Sequence, residues 1–355
     1  MPQAHRPRPL RTPASKAAIL LILLFGPILG AGAARAQAVV GEPTDLPFTV
    51  RDATTGQPAT PERLTIAYVS GRLNVVLDMN PGSAAFTAPA VPIKDIGQYI
   101  ITLWHQGVPY WWQKRGTELT AGPVALDVFS VTENLEAVTI TGLNLVLRHR
   151  ETTADLELMV EITNLAQPQA TVSRGSGTFE LQLPDGATDI EASYQRGPDP
   201  TPVSVTMSGT RAAIAMPLTP GTNQLRLTAR APWDGALDLP VGSNLPIEAW
   251  SLLTAPPSVT VESGEMQGPD EQSVPGFVRR TGPALAAGRT FTVRLNPGTV
   301  AGEPEPLFTE SAPAADPSAA AAAKEGGGRR FPVALAALVA LIIIGAVAVA
   351  RRGRS

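Results

Sequence analysis

The chain has 355 residues, which is enough for two domains with additional segments. It contains no cysteine, and this excludes a disulfide framework, a thiolate metal site and a cysteine nucleophile. The net charge is −3, and the three histidines, His5, His105 and His149, are too scattered to predict a metal site or a Ser/His/Asp triad. We therefore predict no catalytic residues, no metal and no cofactor.

The first 36 residues have the pattern of a secretory signal peptide. Residues 1–16 carry four basic residues and no acidic one, and the apolar run AAILLILLFGPILGAGA follows. Ala34-Arg35-Ala36 then supplies a small-x-small cleavage site. The pattern predicts export with cleavage after Ala36, and an uncleaved N-terminal anchor is the alternative.

Residues 37–131 predict one β-domain. Apolar and polar residues alternate with period two, and turn residues such as Thr55-Gly56 and Asn80-Pro81-Gly82 separate the alternating runs. Such alternation predicts strands with one buried face. The expected strands are 46–51, 63–69, 73–78, 84–88, 98–105, 108–114 and 123–130.

The hairpin around Gln106-Gly107 holds most of the aromatic residues of this domain. Adjacent strand residues point to opposite faces, so Tyr110 and Trp112 share one face and Trp111 takes the other. One interpretation is a core residue plus a surface pair of Trp111 or Trp112 with Trp104. The other is a patch that stacks on sugar or docks a protein. The candidate binding residues are Trp104, Tyr110, Trp111 and Trp112.

Pro109 lies near the start of the second strand of this hairpin. Proline has no backbone N–H, so its position favours an edge strand. Edge strands can accept a partner by strand addition, which keeps the docking interpretation open.

Residues 132–297 predict a second β-domain of eight or nine strands. The run DLELMVEIT alternates Leu156, Leu158, Val160 and Ile162 with polar residues, and TFELQLP and RTFTVRLNPG repeat the pattern. No stretch of the exported part has a sustained 3.6-residue period. The sequence thus predicts an all-β chain with two tandem antiparallel β-sandwich domains.

The segments FTVRDATTGQPATPERLTIAYVSG and AAFTAPAVPIKDIGQYIITLWHQGVPYWW resemble a transthyretin-like or carboxypeptidase regulatory-like domain. The resemblance covers about 90 residues and implies a seven-stranded, immunoglobulin-like sandwich of the kind found in exported proteins. The second part, with EITNLAQPQATVSRGSGTFELQLPDGA, is similar to β-sandwich repeats of bacterial envelope proteins. Neither resemblance implies catalytic residues.

Three features could suggest catalysis, and each has a simpler interpretation. Glu157 and Glu161 are about 13 Å apart on a strand, too far for a retaining glycosidase, so we expect a solvated face. The loop SRGSG at 173–177 lacks the spacing of a nucleophile elbow. We expect His149 on the surface, at the end of its strand.

Residues 298–330 predict a linker, because they are rich in Ala, Pro, Gly and acidic residues without apolar periodicity. Residues 331–350, FPVALAALVALIIIGAVAVA, contain no charge and are long enough to span a bilayer as a helix. The basic tail 351–355 follows on the cytoplasmic side. A C-terminal sorting signal, processed after export, is the alternative for the last three segments.

The exported part is acidic. Five of the 28 basic residues lie in residues 1–36 and five flank the apolar helix, which leaves 18 against 31 acidic residues, a net charge of −13. Such a surface is poorly suited to nucleic acid or anionic lipid.

The sequence therefore predicts a single-pass protein of the cytoplasmic membrane with its N-terminal domains outside, in the periplasm or at the cell surface. The predicted function is to bind or scaffold another envelope component, a protein foremost. A carbohydrate-binding module and an accessory subunit or unusual hydrolase of the envelope are the alternatives.

Overall fold

The computed structural model describes residues 41–70, 72–195, 200–269 and 275–297. The signal peptide, linker, apolar helix and tail predicted above lie outside these residues. Within them the chain forms 21 strands and one short helix, so the protein is mostly β, as the alternation predicts. None of the helical structure in the described ranges is long and apolar enough to cross a membrane.

The first part of the chain contains seven strands and the helix. The strands are β1 (Glu42–Asp52), β2 (Arg63–Val69), β3 (Leu73–Met79), β4 (Ala85–Ile93), β5 (Gln98–His105), β6 (Val108–Arg115) and β7 (Val124–Val128). The helix α1 (Gly116–Thr120) follows β6, and Glu118 accepts a hydrogen bond from the Arg115 N–H at its start (2.6 Å). Five residues are too few for a helical period, so the sequence did not indicate α1.

These seven strands form two sheets around one core. The order is β4-β1-β7 in the first sheet and β3-β2-β5-β6 in the second. All neighbours are antiparallel except β1 and β7, which are parallel. Apolar residues of both sheets, among them Phe48, Ile66, Ile101 and Leu126, share the core and are at most 1% exposed. Burial of this alternating set is the main favourable term that holds the two sheets together.

The remaining 14 strands described lie between residues 131 and 296. They are β8 (Val131–Thr132), β9 (Val138–Arg150), β10 (Thr153–Asn164), β11 (Thr171–Val172), β12 (Phe179–Gln182), β13 (Thr188–Gln195), β14 (Pro200–Ser208), β15 (Arg211–Ala215), β16 (Gly221–Pro232), β17 (Leu237–Gly242), β18 (Trp250–Ala255), β19 (Thr260–Glu262), β20 (Val278–Gly282) and β21 (Thr290–Asn296).

A nine-stranded sheet dominates the second part, in the order β12-β15-β14-β13-β16-β10-β9-β18-β20. A three-stranded sheet, β17-β21-β19, contributes to the same hydrophobic core. Neighbours in both sheets are antiparallel, except that β18 runs parallel to β9. The core cluster of this part includes Leu158, Phe179, Trp233 and Val293, and it is separate from the cluster of the first part.

The two parts meet at one end of the β5–β6 hairpin. The Val131 N–H donates to the Gln106 side-chain oxygen (2.9 Å), and the Thr54 hydroxyl donates to the Gln169 carbonyl (2.6 Å). The two-residue strand β8 pairs in parallel with β11, directly across the predicted domain boundary near residue 132. The boundary itself stays a prediction.

The far ends of the two parts lie on opposite sides of this junction. In the first part, Ile96 lies in the turn before β5, at the end of the sheet opposite the β5–β6 turn, and it is 95% exposed. In the second part, Asn164 is at the junction end of β10, while Trp233 hydrogen-bonds Thr152 at the other end. Leu295 pairs with Leu237 close to Trp233, so the chain leaves β21 at the end remote from the first part.

Two sequence-based placements were wrong. Glu157 is not on a solvated face: it is 8% exposed, because Arg226 (2.7 Å) and Arg148 (3.7 Å) from the neighbouring strands pair with it. His149 is not on the surface: it is 7% exposed, and its ring packs against that of Trp233 at a tilt of 53°, with the ring centroids 4.6 Å apart. The burial of each residue depends on contacts with residues that are distant in the sequence, which the local sequence does not reveal.

Candidate functional site

The best candidate for a binding surface is the outer face of the sheet β3-β2-β5-β6, here called the outer face. Tyr99, Ile101 and Leu103 of β5 point into the core and are completely buried. The residues between them, Ile100, Thr102 and Trp104, therefore point away from the core. The strand register extends this face across β2, β3 and β6.

The structure separates the four predicted binding residues into two pairs. Trp111 pairs with Thr102 and lies on the outer face together with Trp104. Tyr110 and Trp112 lie on the core side, where their rings stack at 6.4 Å. Trp104 lies across from Pro109 rather than from another tryptophan. The chain thus presents two half-buried tryptophans, not four aromatic residues, on one surface.

Tyr110 holds the two parts of the chain together. It is 2% exposed, and its hydroxyl donates to the Phe129 carbonyl (2.9 Å) and hydrogen-bonds with the Thr171 hydroxyl (2.8 Å). Thr171 belongs to β11 of the second part and is itself fully buried. A side chain in this position cannot contact an external ligand, so Tyr110 is a structural residue at the junction.

Asp52 lies at the same junction and binds the backbone after β7. Its carboxylate accepts hydrogen bonds from the N–H groups of Thr54 (2.8 Å) and Ser130 (3.2 Å) and from the Ser130 hydroxyl. Burial raises the pKa of this carboxyl, but the hydrogen bonds from Ser130 and Thr54 outweigh burial, and the net pKa is below its ordinary value.

The charged groups on the outer face neutralise one another. Arg63 and Asp78 form two hydrogen bonds of 2.9 and 2.6 Å, and the hydrogen bond from Arg63 lowers the pKa of Asp78. The guanidinium of Arg63 also stacks over Trp104 at 5.0 Å. Arg115 at one corner adds a single positive charge. The outer face is therefore nearly neutral on a part of the chain that is acidic overall.

Aliphatic residues occupy the middle and the far edge of the outer face. Ala67 and Ile100 are buried in its centre, whereas Val75 and Leu73 on the edge strand β3 are 65% and 38% exposed. The sequence analysis did not select these residues. A signal was present: β2 and β5, RLTIAYV and QYIITLWH, are apolar at positions of both faces, which is typical of strands covered on both sides.

The titratable residues of the described ranges form no metal centre, and many of them form ion pairs. No group of three or more His, Asp or Glu side chains there could hold a metal ion. Several acidic residues on the nine-stranded sheet pair with arginines, as Asp155 does with Arg150 (3.1 Å) and Arg230 (3.3 Å). These pairs stabilise the sheet.

No family model matches the chain, and no curated protein matches it. Among solved structures, an M1 zinc metallopeptidase from Deinococcus radiodurans aligns at 13% identity over 45% of this chain and 42% of that chain, with a TM-score of 0.29. Native yeast LTA4 hydrolase aligns at 9% identity over 46% and 29%, with a TM-score of 0.28. The chain spans less than half the length of each of these solved structures, and alignments with such low TM-scores assign neither a fold nor a function to it.

Proposed function

We propose that this chain is a single-pass, membrane-anchored envelope protein whose exported part docks another envelope protein through the outer face. In this proposal two tandem β-sandwich domains, the first of the carboxypeptidase regulatory-like kind, stand outside the cytoplasmic membrane. The linker 298–330 and the helix 331–350 attach them to it. The observation that carries the proposal is the apolar outer face with Trp104 and Trp111.

A protein partner suits the outer face better than a glycan does. Sugar-binding sites need an accessible aromatic ring surface together with polar groups that recognise hydroxyls. Here Arg63 covers one side of the Trp104 ring, and the residues between Trp104 and Val75 are aliphatic or threonine. Tryptophan and arginine beside an apolar centre are instead the residues enriched where proteins bind each other.

The test is photo-crosslinking in intact cells from a single photoreactive residue in the full chain. Placed at Trp111, the residue is expected to capture an envelope protein as one discrete adduct. Leu165 is a matched control, because it is 68% exposed but lies in the second part of the chain. Equal capture from both positions, or none from Trp111, would contradict the proposal, as would retention of the chain on envelope glycan that Trp111→Ala abolishes.

A further inference from the structure

We infer that the partner covering the outer face is a second copy of this chain, in a two-fold dimer on the membrane. The inference rests on the proposed function, and names the protein that docks. It starts from an unusual surface: three of the five large hydrophobic side chains exposed in the described ranges, Leu73, Val75 and Ile96, belong to this one sheet and its adjoining turn.

Charge favours a second copy. The exported part has a net charge of −13, so two copies repel each other over most of their surfaces. On the outer face the ion pair of Arg63 and Asp78 leaves no net charge in the apolar region. Two acidic copies can therefore approach each other at the outer face without burying like charges. A strongly charged partner would find no oppositely charged groups there to pair with.

The layout of the outer face is self-complementary. The aliphatic edge, with Leu73 and Val75, is on β3, and the tryptophan edge, with Trp104 and Trp111, is on β5 and β6. A two-fold axis that lies between two stacked copies and runs parallel to the strands places β3 of each copy opposite β6 of the other. The aliphatic edge then packs against the tryptophan edge twice, which is the isologous contact of a two-fold dimer.

The same axis agrees with the positions of the chain ends. It leaves the strands of both copies pointing in one direction, so both chains leave β21 on the same side, as two copies anchored in one membrane require.

The chain's own linker is poorly placed to cover the outer face. Its large apolar residues, Val300, Leu307 and Phe308, are at most about 40 Å from Pro297 when the chain is fully extended. The length of β10, about 40 Å, already separates that exit from the junction.

The size of the outer face indicates a weak dimer that needs the membrane. Four strands about 4.8 Å apart and eight residues long cover about 500 Å², below the roughly 800 Å² per partner of a stable interface. Anchoring both copies in one membrane raises their effective concentration and compensates for the small area. We therefore place the dimer on the membrane rather than in dilute solution.

Cysteine crosslinking tests this geometry in the full chain in membranes, because the chain has no cysteine of its own. Two copies with different tags are co-expressed, one carrying Val75→Cys and the other Gln113→Cys. Both positions are exposed, and they occupy equivalent places on β3 and β6. Stacked sheets lie about 10 Å apart, so a bis-maleimide that spans about 10 Å should join the two tags.

Three controls make the result specific. Val75→Cys alone or Gln113→Cys alone should give no crosslinked product, since the axis places identical positions on opposite edges. They are then about 14 Å apart across the sheet, before the sheet spacing is added. Adding Trp111→Lys to both chains should reduce the mixed adduct at least tenfold.

Equal crosslinking by the single variants would contradict the proposed two-fold axis. Absence of the mixed adduct while Trp111 captures a different protein would overturn the dimer but leave the proposed function standing; absence of both would overturn both.

Discussion

The hydroxyl of Tyr110 joins β6 to the second part of the chain through Phe129 and Thr171. We expect Tyr110→Phe to lower the free energy of unfolding by about 1–3 kcal/mol, because buried partners lose their hydrogen bonds. Tyr68→Phe is a matched control: Tyr68 is half-buried in the same sheet, and its ring packs on Tyr99. Denaturant titration of the full chain measures both. Equal losses would show that the junction bonds are not what Tyr110 contributes.

Asp52 makes the same junction sensitive to acid. Its pKa is lowered in the folded protein, so its contribution to stability is present above the ordinary aspartate pKa of about 3.9 and is lost as the pH falls through the lower, folded value. We expect the unfolding midpoint to fall steeply below about pH 4 and Asp52→Asn to flatten this part of the profile. A slope unaffected by Asp52→Asn would contradict the assignment.

Between neighbouring strands, the ladder of ion pairs on the nine-stranded sheet centres on Glu157. Its side chain is 11% exposed, while those of Arg226 and Arg148 are 46% and 35% exposed. Because only one partner is well buried, we expect Glu157→Gln to cost about 1–3 kcal/mol, less than the roughly 3–5 for breaking a fully buried pair. The exposed pair of Arg51 and Asp127 should contribute less, because water and salt screen it. Thermal unfolding of the two variants would contradict this if Asp127→Asn were the more destabilising.

At the level of strands, the alternation of apolar and polar residues predicted where strands lie in the chain. The predicted strands 63–69 and 98–105 coincide with β2 and β5, because each has an apolar core-facing row and turn residues at its ends. Local alternation cannot indicate which strands become neighbours. The parallel pairing of β1 with β7 and the burial of Glu157 by Arg226 join residues about 70 positions apart in the chain.

The candidate site was predicted in part. The alternation rule correctly separated Trp111 from Trp112, but the direction of each required the sheet and its core. Trp104 and Trp111 were named for their residue type, whereas Val75 and Leu73 were not, because isolated aliphatic residues in a strand look like core residues. Only the register places those two residues beside Ala67 and Val69 on the outer face.

At the scale of the whole molecule, the proposed function requires that the β-rich part be exported and anchored in the cytoplasmic membrane. If residues 1–36 are a signal peptide and residues 331–350 a membrane helix, as the sequence predicts, a reporter active only outside the cytoplasm and fused after Gly298 should be active. The mature chain should begin at Gln37. A fusion after Ser355 should be inactive and serves as the control. N-terminal sequencing and reporter activity measure the two outcomes. An inactive fusion at Gly298 would contradict the proposed export.

The central claim is that the outer face of the sheet β3-β2-β5-β6, and not its core side, contacts a protein. A photoreactive residue placed in turn at Trp111, Trp112, Gln113 and Lys114 of the full chain tests it most directly, because consecutive side chains of β6 alternate between the two sides. We predict protein adducts in intact cells from positions 111 and 113 and few or none from 112 and 114. Equal capture from all four positions, capture from 112 and 114 instead, or no capture at all would contradict the claim.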